Sequence, residues 1–125
     1  MSDQLAARRA RIAARPVVLD VRGLGMAFAG RDGRAVHALH DVSFQVRRRE
    51  FVTVVGASGC GKSTLVRILA GLARHTAGEV LLDGRPVHGP GPDRGMVFQG
   101  YTLFPWLTVQ RNVMFGLEMQ GRGRD

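Results

Sequence analysis

Residues Gly56-Ala57-Ser58-Gly59-Cys60-Gly61-Lys62-Ser63-Thr64 constrain this chain more than any other stretch, because they fit the phosphate-binding loop pattern of Gly, four residues, then Gly-Lys-Ser. The flanks agree with the loop. Phe51-Val52-Thr53-Val54-Val55 is a run with the length and β-branched content of a buried strand, and Leu65, Ile68, Leu69 and Leu72 recur at helical spacing after it. Glycines let successive backbone N–H groups point inward at anionic oxygens, and the opening helix adds the positive end of its dipole. Within that cradle Lys62 supplies a compact charge for β and γ phosphates and the Ser63 hydroxyl a ligand for Mg²⁺. Lys62 is the one lysine among 18 basic residues. A planar arginine fork does not replace a point ammonium at such a site.

The remaining residues build outward from this loop. Met1 to Arg15 is rich in Ala and Arg with only Leu5 and Ile12 as large apolar residues, so 1–15 reads as a mobile basic arm, although the composition also permits a surface helix. Val17 to Val21 and Leu24 to Phe28 read as strands, Gly30-Arg31-Asp32-Gly33 as a hairpin turn and Ala35 to Leu39 as the return. Val42 to Val46 alternates apolar and polar residues and Arg47 to Glu50 turns the chain toward Phe51, giving an antiparallel β layer ahead of the loop. A helix is expected over 62–73. A strand entering an Asp83-Gly84 turn follows from Glu79, and an irregular Pro/Gly segment runs from His88 to Asp93. Gly95 to Phe98 reads as a buried strand, Tyr101 to Leu107 as a loop broken by Pro105, and Thr108 as the N-cap of a helix that Gly121 ends.

Composition narrows the setting. One cysteine, Cys60, precludes an internal disulfide, and no run of eighteen apolar residues exists, so a cytoplasmic chain is the expectation. The +8 charge and pI near 11.5 raise nucleic acid or an anionic membrane surface as partners. Aromatics are not interleaved with the arginines, so a solvated basic surface is favoured over a nucleic-acid groove. The four histidines have no zinc-type spacing with Cys or acids.

After Pro16 the sequence resembles the ATP-binding subunit of ABC transporters. The residues that carry the resemblance are Ala38-Leu39-His40-Asp41-Val42-Ser43-Phe44, the loop from Gly56 to Thr64, Ala70-Gly71-Leu72 with Gly78-Glu79-Val80, and Gly95-Met96-Val97-Phe98-Gln99. The stretch from Gly89 to Gln99 with Leu103-Phe104-Pro105-Trp106-Leu107-Thr108-Val109 is most similar to nitrate, sulfonate and taurine importers.

The resemblance implies an α/β fold, a P-loop NTPase core with an antiparallel β subdomain over 16–125, that binds ATP and Mg²⁺. It implies that Phe28 stacks on adenine, that Gly56, Ser58, Gly59, Cys60, Gly61, Lys62, Ser63 and Thr64 hold the phosphates, and that Gln99 reaches the Mg²⁺ and the γ-phosphate as a catalytic residue. Phe28 also reads as a core aromatic and Cys60 as a small loop residue, its alternative being a reactive thiol shielded by nucleotide. Leu103 to Leu107 is either a contact for a membrane permease or a satellite packed on the chain's own helix. A second ATP-binding subunit, and indirectly a substrate-binding protein, complete the implied assembly at the inner face of the membrane.

The departures from that family are specific. Its ATPases use an apolar strand ending in Asp-Glu; the nearest match, Val80-Leu81-Leu82-Asp83, is followed by Gly84. The Leu-Ser-Gly-Gly-Gln signature and the switch histidine are absent too, so the chain reads as an N-terminal half, truncated before the Walker B strand, that binds ATP without hydrolysing it. Arg49 stands where the family turns with Gly, which predicts a positive φ at a residue with a side chain. Two further readings are a DNA-associated ABC-type ATPase, marked by salt-sensitive DNA binding, and an inactive remnant.

Overall fold

The computed structural model describes residues 2–100 and 102–122. Met1, Tyr101, which opens the expected 101–107 loop, and 123–125 at the end of the 16–125 segment lie outside the described residues. Two compact units divide the chain, Met1–Pro90 and Gly91–Asp125.

The first unit is built on a four-stranded sheet in the order β2-β1-β3-β4, all pairs antiparallel. β1 (Val17–Ala29) and β2 (Ala35–Arg47) form a long hairpin around the Gly30 to Gly33 turn, closed by Gly30 N–H on Arg34 O at 2.7 Å. Each merges two expected strands into one. The breaks survive as bulges: register slips between Val21 and Leu24, where Gly23 takes φ +54°, and Asp41 on β2 takes φ +48°. β3 (Ala77–Leu82) and β4 (Arg85–Pro86) meet at a two-residue loop in which Asp83 and Gly84 both have positive φ, the geometry that a tight Asp-Gly hairpin demands.

α1 (Ser2–Ala13) occupies the N-terminal segment as an exposed helix, the second of the two forms its composition permits. α2 (Lys62–Leu69) lays Leu65 and Ile68 on the sheet against Val21, Leu24, Leu39 and Val80. Each such large side chain contributes about 1.5–3 kcal/mol on burial, so this six-residue cluster anchors the helix that follows the loop. α2 stops four residues short of the expected end at Ala73. Gly71, at φ +76°, closes it in a Schellman motif, with Gly71 N–H on Ile68 O at 2.9 Å and Leu72 N–H on Arg67 O at 2.8 Å.

The expected strand over 51–55 is not formed. Phe51 is 91% and Val55 87% exposed, in irregular chain. The reason is that a strand exists only within a ladder, and no described segment pairs with these residues. The expected buried strand from Gly95 to Phe98 in the second unit fails likewise: it is irregular, and Val97 is 97% exposed.

The second unit holds α3 (Val109–Met119), N-capped as expected by Thr108, whose Oγ1 accepts from Arg111 N–H at 3.2 Å. Gly121, at φ +71°, ends it in the same manner as Gly71 ends α2.

Candidate functional site

The loop from Gly56 to Gly61 reverses tightly before α2, with Cys60 N–H on Ala57 O at 3.3 Å and Leu65 N–H on Gly61 O at 2.9 Å. Gly61 is the N-cap of α2 at φ +97° and offers no side-chain cap, and the first turn carries no acidic residue. The leading N–H groups of Lys62, Ser63 and Thr64 are therefore presented to an anion without a competing carboxylate.

Glycine is required here by space as well as by φ. A Cβ on Gly61 would collide with the carbonyl oxygen of Ala38 on β2, and one on Gly56 would stand 2.5 Å from Cys60 Sγ. The Gly61 contact also positions the loop, since it seats the start of α2 against the hairpin half of β2. The Lys62 ammonium turns back into the loop and donates to Gly56 O and Ala57 O, each at 2.6 Å, with Cys60 Sγ at 3.5 Å. These partners are neutral carbonyls, so the lysine's positive charge stays available to a phosphate oxygen, a stronger charge-assisted acceptor. Backbone curvature, a helix N-terminus and an inward ammonium together fit a phosphate chain.

The eight expected phosphate-binding residues of 56–64 thus stand together in one loop and one helical turn. Phe28 belongs to the same unit, near the hairpin end of β1, opposite Val36 and 48% exposed. Val36 is two residues along β2 from Ala38, the residue that Gly61 abuts. Phe28 is consequently not a core aromatic. Gln99 lies in the second unit, exposed in irregular chain.

In that second unit Phe104, Pro105, Trp106 and Leu107 make a turn with Leu107 N–H on Phe104 O at 3.1 Å. Phe104 packs on Phe115 of α3, with ring centroids 4.6 Å apart, whereas Trp106 is 76% and Leu103 74% exposed. The stretch therefore divides between the two readings of the sequence, Phe104 and half-buried Leu107 as satellite packing and Leu103 and Trp106 as open apolar surface, although the Trp106 ring also touches that of Phe104, centroids 5.3 Å apart. Asn112 fixes the turn and was not singled out from the sequence. Its Nδ2 donates to the carbonyls of Phe104, Leu107 and Thr108 at 3.0–3.1 Å and its Oδ1 accepts from Phe104 N–H at 2.8 Å. The only available signal was an amide one helical turn after an N-cap threonine.

A glycine-rich loop with an inward lysine, running into a helix packed on a sheet, defines the class of P-loop phosphate-binding α/β proteins. The ABC transporter family model matches residues 39–124, more than half of the sequence, and the chain belongs to that family. It is 52% identical to the nitrate import ATP-binding protein of Synechocystis sp., across 82% of this chain and 38% of that protein. To the taurine import ATP-binding protein of Burkholderia pseudomallei it is 55% identical, across 82% of this chain and 39% of the relative. Among solved structures, the ATP-binding cassette MJ0796, a dimer bound to ADP and Pi in a post-hydrolysis state, matches with a TM-score of 0.73 at 29% identity, covering 86% of this chain and 50% of that one. The chain spans between a third and two fifths of the length of these curated relatives.

Proposed function

We propose that the chain is the ATP-binding part of the ATPase subunit of an ABC importer for small anions such as nitrate, sulfonate or taurine. The observation that carries this reading is the Gly56 to Thr64 cradle with Lys62 inside it, and the likeness to the nitrate and taurine import proteins supports the importer class. Lys62 would exchange its carbonyl partners for β and γ phosphate oxygens, and the N–H groups of 59–64 would line the phosphates. Phe28, exposed near its strand end, would stack on adenine. Ser63 would ligate Mg²⁺, with Gln99 as a further metal and γ-phosphate ligand. The metal's chemistry, when bound, is neutralisation of phosphate charge.

The open apolar pair Leu103 and Trp106 would meet the membrane permease, and a second ATP-binding subunit would complete the dimer, with a substrate-binding protein coupled indirectly. No helix among the described residues is long and apolar enough to cross a membrane, and the reading places the chain peripherally at the cytoplasmic face. The 125 residues contain no Asp-Glu pair, and Asp83 sits in a hairpin turn beside Gly84, so this chain by itself is proposed to bind without turnover.

Titration with ATP in the presence and absence of Mg²⁺ tests the proposal. Mg²⁺ strengthens ATP binding to the wild-type chain, and Ser63→Ala removes most of that gain while leaving Mg²⁺-free binding in place. An affinity that ignores Mg²⁺ in both proteins contradicts the assignment.

A further inference from the structure

The fold joins two arginine clusters that are far apart in sequence. Arg15, just past the end of α1, donates from Nη1 to Arg48 O at 3.3 Å and Arg49 O at 3.1 Å, and Arg47 Nη1 donates to Arg15 O at 2.9 Å. Arg48 N–H adds a bond to Pro16 O at 2.9 Å. These bonds hold the C-terminal end of α1 beside the 47–49 turn, so the exposed Arg8, Arg9 and Arg11 of α1 and the exposed Arg48 and Arg49 of the turn belong to adjoining segments. All the acceptors are neutral carbonyls. Among the described residues no carboxylate lies within ion-pair distance of any of these arginines, and the nearest acid in sequence, Glu50, accepts from the Arg47 backbone N–H at 2.7 Å.

α1 adds a feature that charge alone does not explain. At about 100° per residue, Arg11, Arg8, Ile12, Leu5 and Arg9 follow one another around one side of the helix, while the alanines at 6, 7, 10 and 13 take the other. Its two large apolar residues therefore stand between arginines rather than on the opposite face, and Leu5 is 54% exposed. A solvated polyanion has no use for the apolar pair. A lipid headgroup layer uses both, since arginine heads reach phosphates while Leu and Ile enter the acyl boundary.

We propose that this face, α1 together with the 47–49 turn, binds an anionic phospholipid surface directly. The inference stands independently of the nucleotide site.

Co-sedimentation with large vesicles of phosphatidylcholine, alone or with about one third phosphatidylglycerol, tests it. The chain binds the anionic vesicles and not the neutral ones, and binding weakens as salt rises. Replacing Arg8, Arg9 and Arg11 together with Gln lowers partitioning by about a hundredfold. The same charge change at exposed Arg31, Arg34 and Arg85 lowers it far less. Leu5→Gln lowers it several-fold with charge unchanged. Absence of binding to anionic vesicles, or equal losses from the two triple variants, overturns the proposal. So does a Leu5→Gln chain that binds vesicles as the wild type does, particularly if duplex DNA competes for the same arginines.

Discussion

At Arg49 a residue with a side chain stands in a backbone conformation that favours glycine. Its φ of +58° is the left-handed conformation that a Cβ disfavours by about 1–2 kcal/mol. The turn is held regardless, by Glu50 N–H on Arg47 O at 3.0 Å and the Arg15 guanidinium on Arg49 O at 3.1 Å. Arg49→Gly relieves the strain, offset in part by the unfolded-state entropy of glycine, and should stabilise the chain by about 0.5–1 kcal/mol in denaturant unfolding. A second residue-scale effect sits across β1 and β3, where Arg22 pairs with Asp20 at 2.6 Å and Glu79 at 3.0 Å. The hydrogen bond from Arg22 holds the Asp20 carboxyl below its ordinary range, with Gln45 contributing. A lowered carboxylate pKa stabilises the fold above the unfolded value near 3.9 and loses that contribution as pH falls through the folded value. Arg22→Ala is accordingly less stable than wild type at neutral pH, and the two melting temperatures converge as pH falls below about 4.

Among the elements, those that close on themselves were the legible ones. The Asp83-Gly84 turn, the Gly30 to Gly33 hairpin and the Thr108 cap are local, and each stands where its residues put it. So is the Gly56 to Thr64 loop, whose glycines and lysine are contiguous. Phe51 to Val55 and Gly95 to Phe98 were misread because composition reports a preference for burial and not the presence of a partner strand. The Asn112 clamp was invisible for a related reason, since its four hydrogen bonds depend on a turn that folds back onto α3. Hydrogen exchange checks this division. Amides of 51–55 exchange within the dead time of a manual experiment, while those of Asp20 and Leu81, a hydrogen-bonded pair across β1 and β3, are protected; comparable protection in both contradicts the described fold.

On the scale of the whole molecule, the small buried cluster formed by the sheet and α2 has a definite task, which is to hold the N-terminus of α2 and Gly61 against β2. The loop is thus set by the part of the chain that is best packed, even though Phe51 to Val55 leading into it stays exposed. A cradle supported in this way should bind ATP through Lys62. The direct measurement is equilibrium binding of ATP to the wild-type chain and to Lys62→Ala. Loss of a charge-assisted phosphate contact costs about 1.5–3 kcal/mol, so the variant should bind about 10- to 150-fold more weakly. Equal affinities would mean that the loop, despite its geometry, is not where this chain holds nucleotide.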